Sequence, residues 1–202
     1  SLLLYALRMN AVRSQARYQL FSREVLLWSN NIFLLTATLV VFLGTLYPLV
    51  HKELGLGSIS IGEPFFNQFF YYLTIPFALV SGVGPWVRWK QQQLHPLLAP
   101  FSYIAMIAVV LALGYQALAH DFSANLGLLG LLLGAWVAVS AVAETLLRIR
   151  QLGGGIAAFW KLPASHWGMT LGHLGFAVLV IGVAMTKTYS VEKDVRMKIG
   201  ET

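Results

Sequence analysis

One histidine, His173, lies well inside an apolar run, residues 166–186, that is just long enough to cross a membrane. A titratable imidazole at membrane depth is costly to bury and usually serves a function. Two chemical roles fit it: axial ligation of a haem iron, and membership of a proton path. A structural hydrogen bond to a neighbouring helix is the third possibility, and it requires no chemistry.

Helical spacing places His173 on a face that leaves room for a planar group. Ala177 follows it by one turn, so no bulky side chain blocks the ring there. Thr170 and His166 share this face, and His166 is expected to be a structural residue near the membrane boundary. Small residues at helical spacing predict close packing of a second face against a neighbouring helix; they are Gly168, Gly172, Gly175 and Gly182.

The composition is that of a protein that lies largely in the lipid bilayer. Of 202 residues, 57% are hydrophobic and 11% are charged, and the mean hydropathy is +0.69, whereas soluble domains carry about 25% charged residues. The net charge of +6 does not indicate nucleic-acid binding, because the basic residues cluster between apolar runs as in membrane proteins. The absence of cysteine excludes disulfides, thiolate metal sites and covalent attachment of haem to this chain.

Apolar runs of roughly membrane-spanning length predict five transmembrane helices, since a backbone in lipid must satisfy its own hydrogen bonds. The runs are 25–50, 65–87, 97–119, 126–147 and 166–186. We therefore predict an all-α, polytopic transmembrane bundle. Its expected division is 1–24 as the end of a preceding membrane helix and a basic cytoplasmic segment, 25–186 as the bundle, and 187–202 as the start of a periplasmic domain.

The distribution of lysine and arginine predicts the orientation. Most of these residues precede the first run or follow the second and fourth runs, which places the N-terminus of the chain in the cytoplasm and its C-terminus outside. After residue 190 apolar and charged residues alternate, as in a β-strand. We expect the chain to be part of a larger membrane protein whose periplasmic domain is β-rich.

Two other classes of membrane protein would need residues that the sequence does not supply at the expected depth. A cytochrome-b-type anchor linked to quinone would want a second intramembrane histidine, and His51, His95 and His120 fall in predicted loops. A transporter half with a proton-path histidine would want further buried acids. Glu144 is the one candidate, and its spacing from Arg148 predicts an ion pair on the helix surface.

Several segments together resemble the cytochrome c maturation protein F (CcmF) family, the membrane component of the bacterial cytochrome c haem lyase, to which a haem lyase subunit of nitrite reductase maturation is paralogous. The resemblance covers nearly the whole chain, in order. It is carried by Ser22-Arg-Glu24, Asn30-Asn31, Gly44-Thr-Leu-Tyr-Pro48, Leu56-Gly-Ser-Ile-Ser-Ile-Gly62, Pro64-Phe-Phe-Asn67, Gly172-His-Leu-Gly175 and Tyr189-Ser-Val-Glu-Lys-Asp-Val-Arg-Met197.

The resemblance implies an inner-membrane protein that receives haem from the chaperone CcmE and joins the haem vinyl groups to the thiols of CXXCH in apocytochrome c. It also implies a b-type haem held between transmembrane helices by two histidines and used for electron transfer, with His173 as one axial ligand of the iron. Gly172, Thr170 and Ala177 are then the candidate residues around that haem. Thr170, or a backbone carbonyl of the next helix, would bond the ring nitrogen that does not bind iron.

The tryptophan-rich motif of the family is absent from this chain, as is a second haem ligand. Both are expected in the remainder of the same protein. The catalytic residues are therefore unknown, and the chain alone is not expected to form thioether bonds. A CcmH-type thiol protein and membrane lipid are the other partners that the resemblance implies, and nucleic acid is not among them.

Overall fold

The computed structural model describes residues 4, 7–8, 21–90, 93–119 and 125–190. No β-strand occurs among them. Five helices in this part of the chain are long and apolar enough to cross a membrane, which confirms the all-α architecture there. The elements are α1 (Arg23–Glu53), α2 (Glu63–Val83), a 3-10 turn (Gly84–Trp86), α3 (His95–Ala119), α4 (Leu126–Gln151), the short α5 (Gly155–Trp160) and α6 (Ala164–Tyr189).

The strand-like alternation expected after residue 190 lies outside the described residues, as does most of segment 1–24. The three-part division of the chain and the β-rich periplasmic domain therefore stay predictions.

Helix α4 is the centre of the bundle, because it contacts α2, α3 and α6. Half of the residues in the apolar spanning stretch of α4 are buried within the structure. The same share for α1 is 6%, so α1 lies at the periphery. The core that α4 shares with α2 and α6 consists of small and branched apolar side chains: Ala78, Leu133, Val137, Ala177 and Val180. The position of α6, which carries His173, is thus set mainly by its contact with α4.

Glycines on α4 allow this close contact. A Cβ atom added at Gly130 would overlap the Cβ of Ala184, and one added at Gly134 would overlap the side chain of Ile181. By contrast, a Cβ at any glycine of the stripe on α6 would meet no described atom within 4 Å. The expectation that the α6 stripe forms the packing face is wrong within the described chain, because α4 supplies the small residues at that interface.

Polar contacts join the end of α2 to α4. The hydroxyl of Ser140 donates to the carbonyl of Gly82, and Nε1 of Trp86 donates to Ser140 Oγ at 2.9 Å. Nε1 of Trp136 donates to the carbonyl of Leu79 at 3.2 Å. Hydrogen bonds inside an apolar bundle restrict both the register and the rotation of the helices that they join, so the end of α2 is held at a defined place beside α6.

The N-terminus of α1 is bonded to the loop that follows α2. Ser22 is the N-cap of α1, and its Oγ accepts from the amide of Val25 at 3.4 Å. The amide of Arg23 donates to the carbonyl of Arg88 at 3.1 Å, and the carboxylate of Glu24 accepts from the amide of Lys90 at 2.9 Å. The Ser22-Arg-Glu24 segment therefore fixes where α1 begins relative to α2.

We expect Ser22→Ala to lower the free energy of unfolding by about 1 kcal/mol, because loss of an N-cap leaves a helix amide unsatisfied. Ser22 is fully buried, so water cannot easily replace the hydroxyl. Thermal unfolding of the full-length protein in detergent would measure the change. Ser60→Ala, at an exposed loop position, is the control, and equal unfolding temperatures for the two variants would contradict the prediction.

Candidate functional site

His173 lies in α6 with its ring partly buried. Its Nδ1 is 2.8 Å from the carbonyl oxygen of Met169, one turn earlier in the same helix. Because a carbonyl oxygen can only accept, Nδ1 must carry the proton, and in a neutral imidazole the lone pair is then on Nε2. Nε2 makes no hydrogen bond within the described part of the chain. In this tautomer the lone pair of Nε2 is available to an incoming group.

A cavity of about 280 Å³ adjoins His173. It lies where the start of α1, the end of α2 and the first half of α6 meet. Its wall combines apolar side chains with a few polar ones, among which Arg23, Asn30 and Ser81 stand beside Phe77 and Met169. Ligand sites commonly have this composition, with volumes of roughly 300–1,000 Å³. The cavity can therefore hold part of an amphiphilic ligand next to the imidazole.

Aromatic contacts hold the three helices around this cavity. The ring centroids of Phe77 and Phe176 are 5.0 Å apart in an edge-to-face arrangement. Phe77 also meets Phe33 of α1 with centroids 5.8 Å apart. Such pairs stabilise beyond the area that they bury. Phe77 thus links α1, α2 and α6 at the wall of the cavity.

Thr170 is not the partner of His173. Thr170 is 4% exposed, and its hydroxyl lies 2.9 Å from Thr145 Oγ1 and 3.1 Å from the carbonyl of His166. The expected bond between Thr170 and His173 is wrong, because Met169 of the same helix, rather than the next helix, supplies the carbonyl.

The other two residues expected around a haem also lie apart from the cavity. Ala177 is 1% exposed and packs in the core against α4. Gly172 is exposed, and a Cβ there would meet no described atom within 4 Å. Of the four candidate residues, His173 alone lines the cavity in the described structure.

A buried polar cluster lies between α4 and α6. His166 Nε2 is 3.2 Å from Thr145 Oγ1 and 3.6 Å from Glu144 Oε2, and Glu144 also pairs with Arg148. Glu144 and His166 are each 6% exposed. The expected Glu144–Arg148 pair is present, but its placement on the helix surface is wrong for Glu144. The apolar residues on both sides of Glu144 in the sequence are the signal that could have indicated burial.

Two other described histidines, His51 and His95, do not line the cavity. His95 is exposed at the start of α3. His51 bonds the carbonyl of Gly57 through Nδ1 at 3.0 Å, and His120 lies outside the described residues. No group of three or more metal-ligating side chains occurs within the described ranges. Among the described residues that line the cavity, His173 is the one imidazole, and no carboxylate accompanies it.

Comparison with known proteins identifies relatives of this chain. No family model matches the sequence. The cytochrome c-type biogenesis protein CcmF of Escherichia coli K12 is 48% identical over the whole chain, and that of Haemophilus influenzae is 43% identical. The chain belongs to the CcmF family. It spans 30% of the length of the first relative and 31% of the second.

Two further comparisons agree with this assignment. The biogenesis protein NrfE of Haemophilus influenzae is 27% identical over 96% of the chain and 29% of its own length. A solved structure described as the cytochrome c haem lyase CcmF superposes with a TM-score of 0.63 at 25% identity. The match covers 85% of this chain and 26% of that protein. The chain is thus more similar to the CcmF relatives named above than to this NrfE.

Proposed function

We propose that this CcmF-family chain is a membrane segment of the cytochrome c haem lyase and that His173 supplies one axial ligand of an intramembrane b-type haem. The observation that carries the proposal is the bond from His173 Nδ1 to Met169 O, which directs the lone pair to Nε2 beside a cavity. When bound, such a haem supplies one-electron transfer. The second axial ligand would come from the remainder of the same protein.

The lining of the cavity fits an amphiphilic, planar cofactor. Phe77 and Met169 offer apolar surface next to His173. Arg23 is a permanent cation in the same wall, and a guanidinium binds carboxylates through paired hydrogen bonds. We assign Arg23, with the amide of Asn30, to the propionate end of the haem. The guanidinium lies over the Trp89 ring, 5.2 Å from its centroid, which limits its freedom.

Arg23→Gln is expected to weaken haem retention about tenfold, because one charge-assisted contact is lost, and to lower the midpoint potential, because a nearby cation favours the reduced form. Haem content after dilution and a potentiometric titration measure the two effects in the full-length protein. Arg150→Gln is the matched control, since exposed Arg150 lies outside the cavity wall. If the two variants lose haem equally, Arg23 is not a propionate partner.

The proposed activity of the whole protein is covalent attachment of haem to CXXCH of apocytochrome c, with CcmE as haem donor and a CcmH-type protein as thiol partner. We place it in the bacterial inner membrane with α1 and α6 starting on the cytoplasmic side. The charge distribution supports this orientation, since Arg88, Arg148 and Arg150 lie at the ends of α2 and α4 that this topology places in the cytoplasm.

A reduced-minus-oxidised absorption spectrum of the purified full-length protein tests the cofactor, and b-type bands at about one haem per protein are expected. Complementation of a strain that lacks its own CcmF tests the activity, with covalently bound haem on c-type cytochromes as the readout. Restored cytochromes without b-type bands would overturn the haem assignment while keeping the function. Bands without restored cytochromes would instead favour a cytochrome-b-type, quinone-linked anchor.

One observation favours a second candidate. A transporter half would need an acid at membrane depth, and Glu144 is buried against His166. In that case His173 would carry protons and the purified protein would hold no haem, so the same spectrum separates the two candidates.

A further inference from the structure

A buried polar cluster between α4 and α6 has no role in the proposed haem ligation. It consists of Glu144, Thr145, His166 and Thr170, of which Glu144 and His166 are titratable. Glu144 Oε1 pairs with Arg148, whereas Glu144 Oε2 is buried and makes no hydrogen bond within the described structure. A buried carboxylate oxygen without a partner is costly, and the cost is removed when the oxygen gains a proton or a donor. The nearest candidate donor is His166 Nε2, at 3.6 Å.

The hydrogen bonds of the cluster leave His166 Nε2 without a hydroxyl donor. The hydroxyl of Thr145 donates to the carbonyl of Ala141 at 2.9 Å, and that of Thr170 is shared between the carbonyl of His166 and Thr145 Oγ1. Neither hydroxyl is then free to donate to His166 Nε2. A proton on Nε2 would point at Thr145 Oγ1 and Glu144 Oε2, both of which can accept it. One added proton can therefore be held by this pair, on the carboxyl of Glu144 or as the imidazolium of His166.

Water can reach this pair from one side of the bundle. Glu144 and Arg148 line a cavity of about 980 Å³ that also touches Gln151, Arg88 and Arg23. A cavity of this size with several polar groups holds water readily. In the proposed topology it opens at the cytoplasmic end of α4, so the carboxyl of Glu144 stands between cavity water and the imidazole of His166.

We propose that Glu144 and His166 form a proton-binding site that takes up one proton from the polar cavity when the metal centre at His173 gains an electron. The inference rests on the proposed function. The electron comes from an external one-electron reductant and the proton from a buffer acid in the cavity water, so the added negative charge is offset by one positive charge. His166 precedes His173 by seven residues, about 10.5 Å along α6, a distance at which charges interact appreciably inside a bundle.

Three charged side chains face this pair. Arg148 is on the same helix as Glu144, and Arg23 and Arg88 reach the shared cavity from α1 and from the loop after the 3-10 turn. These three guanidinium groups are permanent cations. An electron on a haem held by His173 would add negative charge about 10.5 Å from the pair, and a proton bound by Glu144 and His166 would offset that charge.

Potentiometric titration of the full-length holoprotein from pH 5.5 to 9 tests the coupling. The wild-type midpoint potential is expected to fall as pH rises, by a total equivalent to about a tenfold change in the one-electron equilibrium, about 59 mV. Glu144→Gln and His166→Gln are expected to remove this dependence. Glu63→Gln is the matched control, because Glu63 is exposed and pairs with Lys187 at the other end of the bundle, and it should keep the wild-type slope.

Labelling by dicyclohexylcarbodiimide, which attacks protonated carboxyls in apolar surroundings, gives a readout that does not need haem. Glu144 should be modified increasingly as pH falls, as detected by peptide mass spectrometry. A pH-independent wild-type potential, an unchanged slope in both cluster variants, or absence of Glu144 labelling would overturn the proposal. If the wild type shows no b-type bands, the proposed function fails, and the labelling still decides whether the proton site exists.

Discussion

His173→Ala is expected to remove the b-type absorption bands from the full-length protein almost completely. The imidazole Nε2 is the metal-binding atom in the proposed site, and alanine offers no replacement donor. Its orientation comes from the bond between Nδ1 and Met169 O, at 2.8 Å, which belongs to the helix itself and does not depend on a neighbouring element. Haem content per protein and the reduced-minus-oxidised spectrum measure the loss.

Two controls separate ligand loss from misfolding. His95→Ala removes an exposed imidazole at the start of α3 and should keep the bands. His173→Gly leaves a space that free imidazole can occupy, so added imidazole should restore the bands in that variant. Thr170→Val should change the spectrum little, because Thr170 bonds Thr145 and His166 rather than His173. Full b-type bands in folded His173→Ala protein would show that His173 is not the ligand.

The helices were predictable because their signal is long and local. An uninterrupted apolar run of membrane-spanning length leaves the backbone no alternative to a helix, and the observed limits of α4, Leu126–Gln151, differ from the expected run by a few residues at its C-terminal end. The start of α1 carried its own signal as well, since Ser22 and Glu24 fit an N-cap and a first-turn acid.

Which faces meet was harder to predict, because helical spacing shows what lies on one face but not which helix covers it. The glycines of α6 looked like a packing stripe, yet the interface takes its glycines from α4 and its alanines from α6. The same rotation turns Thr170 and Ala177 toward α4 and away from His173. His173 itself was recognisable because a histidine in an apolar run is unusual whatever face it occupies.

The spacing of charged residues along one helix did not predict all contacts of Glu144. Its spacing from Arg148 fits an exposed helix pair, and the pair does form. The rule says nothing about His166, which approaches from α6 and whose contact depends on how α4 and α6 cross. The contact between this acid and His166 was therefore visible only when α4 and α6 were placed together.

Gly130→Ala is expected to destabilise the bundle by about 1–3 kcal/mol, because the added methyl group would overlap Ala184 and force α4 and α6 apart. The displacement should also disturb the proposed haem site, since α6 carries His173 and α4 sets the position of α6. A lower unfolding temperature and a smaller retained fraction of haem in the full-length protein are the expected results.

Gly114→Ala is the matched control for this substitution. Gly114 lies inside another spanning helix, α3, and a Cβ there would meet no described atom within 4 Å. Alanine favours a helix more than glycine does, so this variant should be as stable as the wild type or slightly more so. A combined Gly130→Ala, Ala184→Gly variant should recover much of the lost stability, because the second change removes the overlapping atom. If the double variant stays as unstable as Gly130→Ala, close contact between α4 and α6 is not what requires glycine at this position.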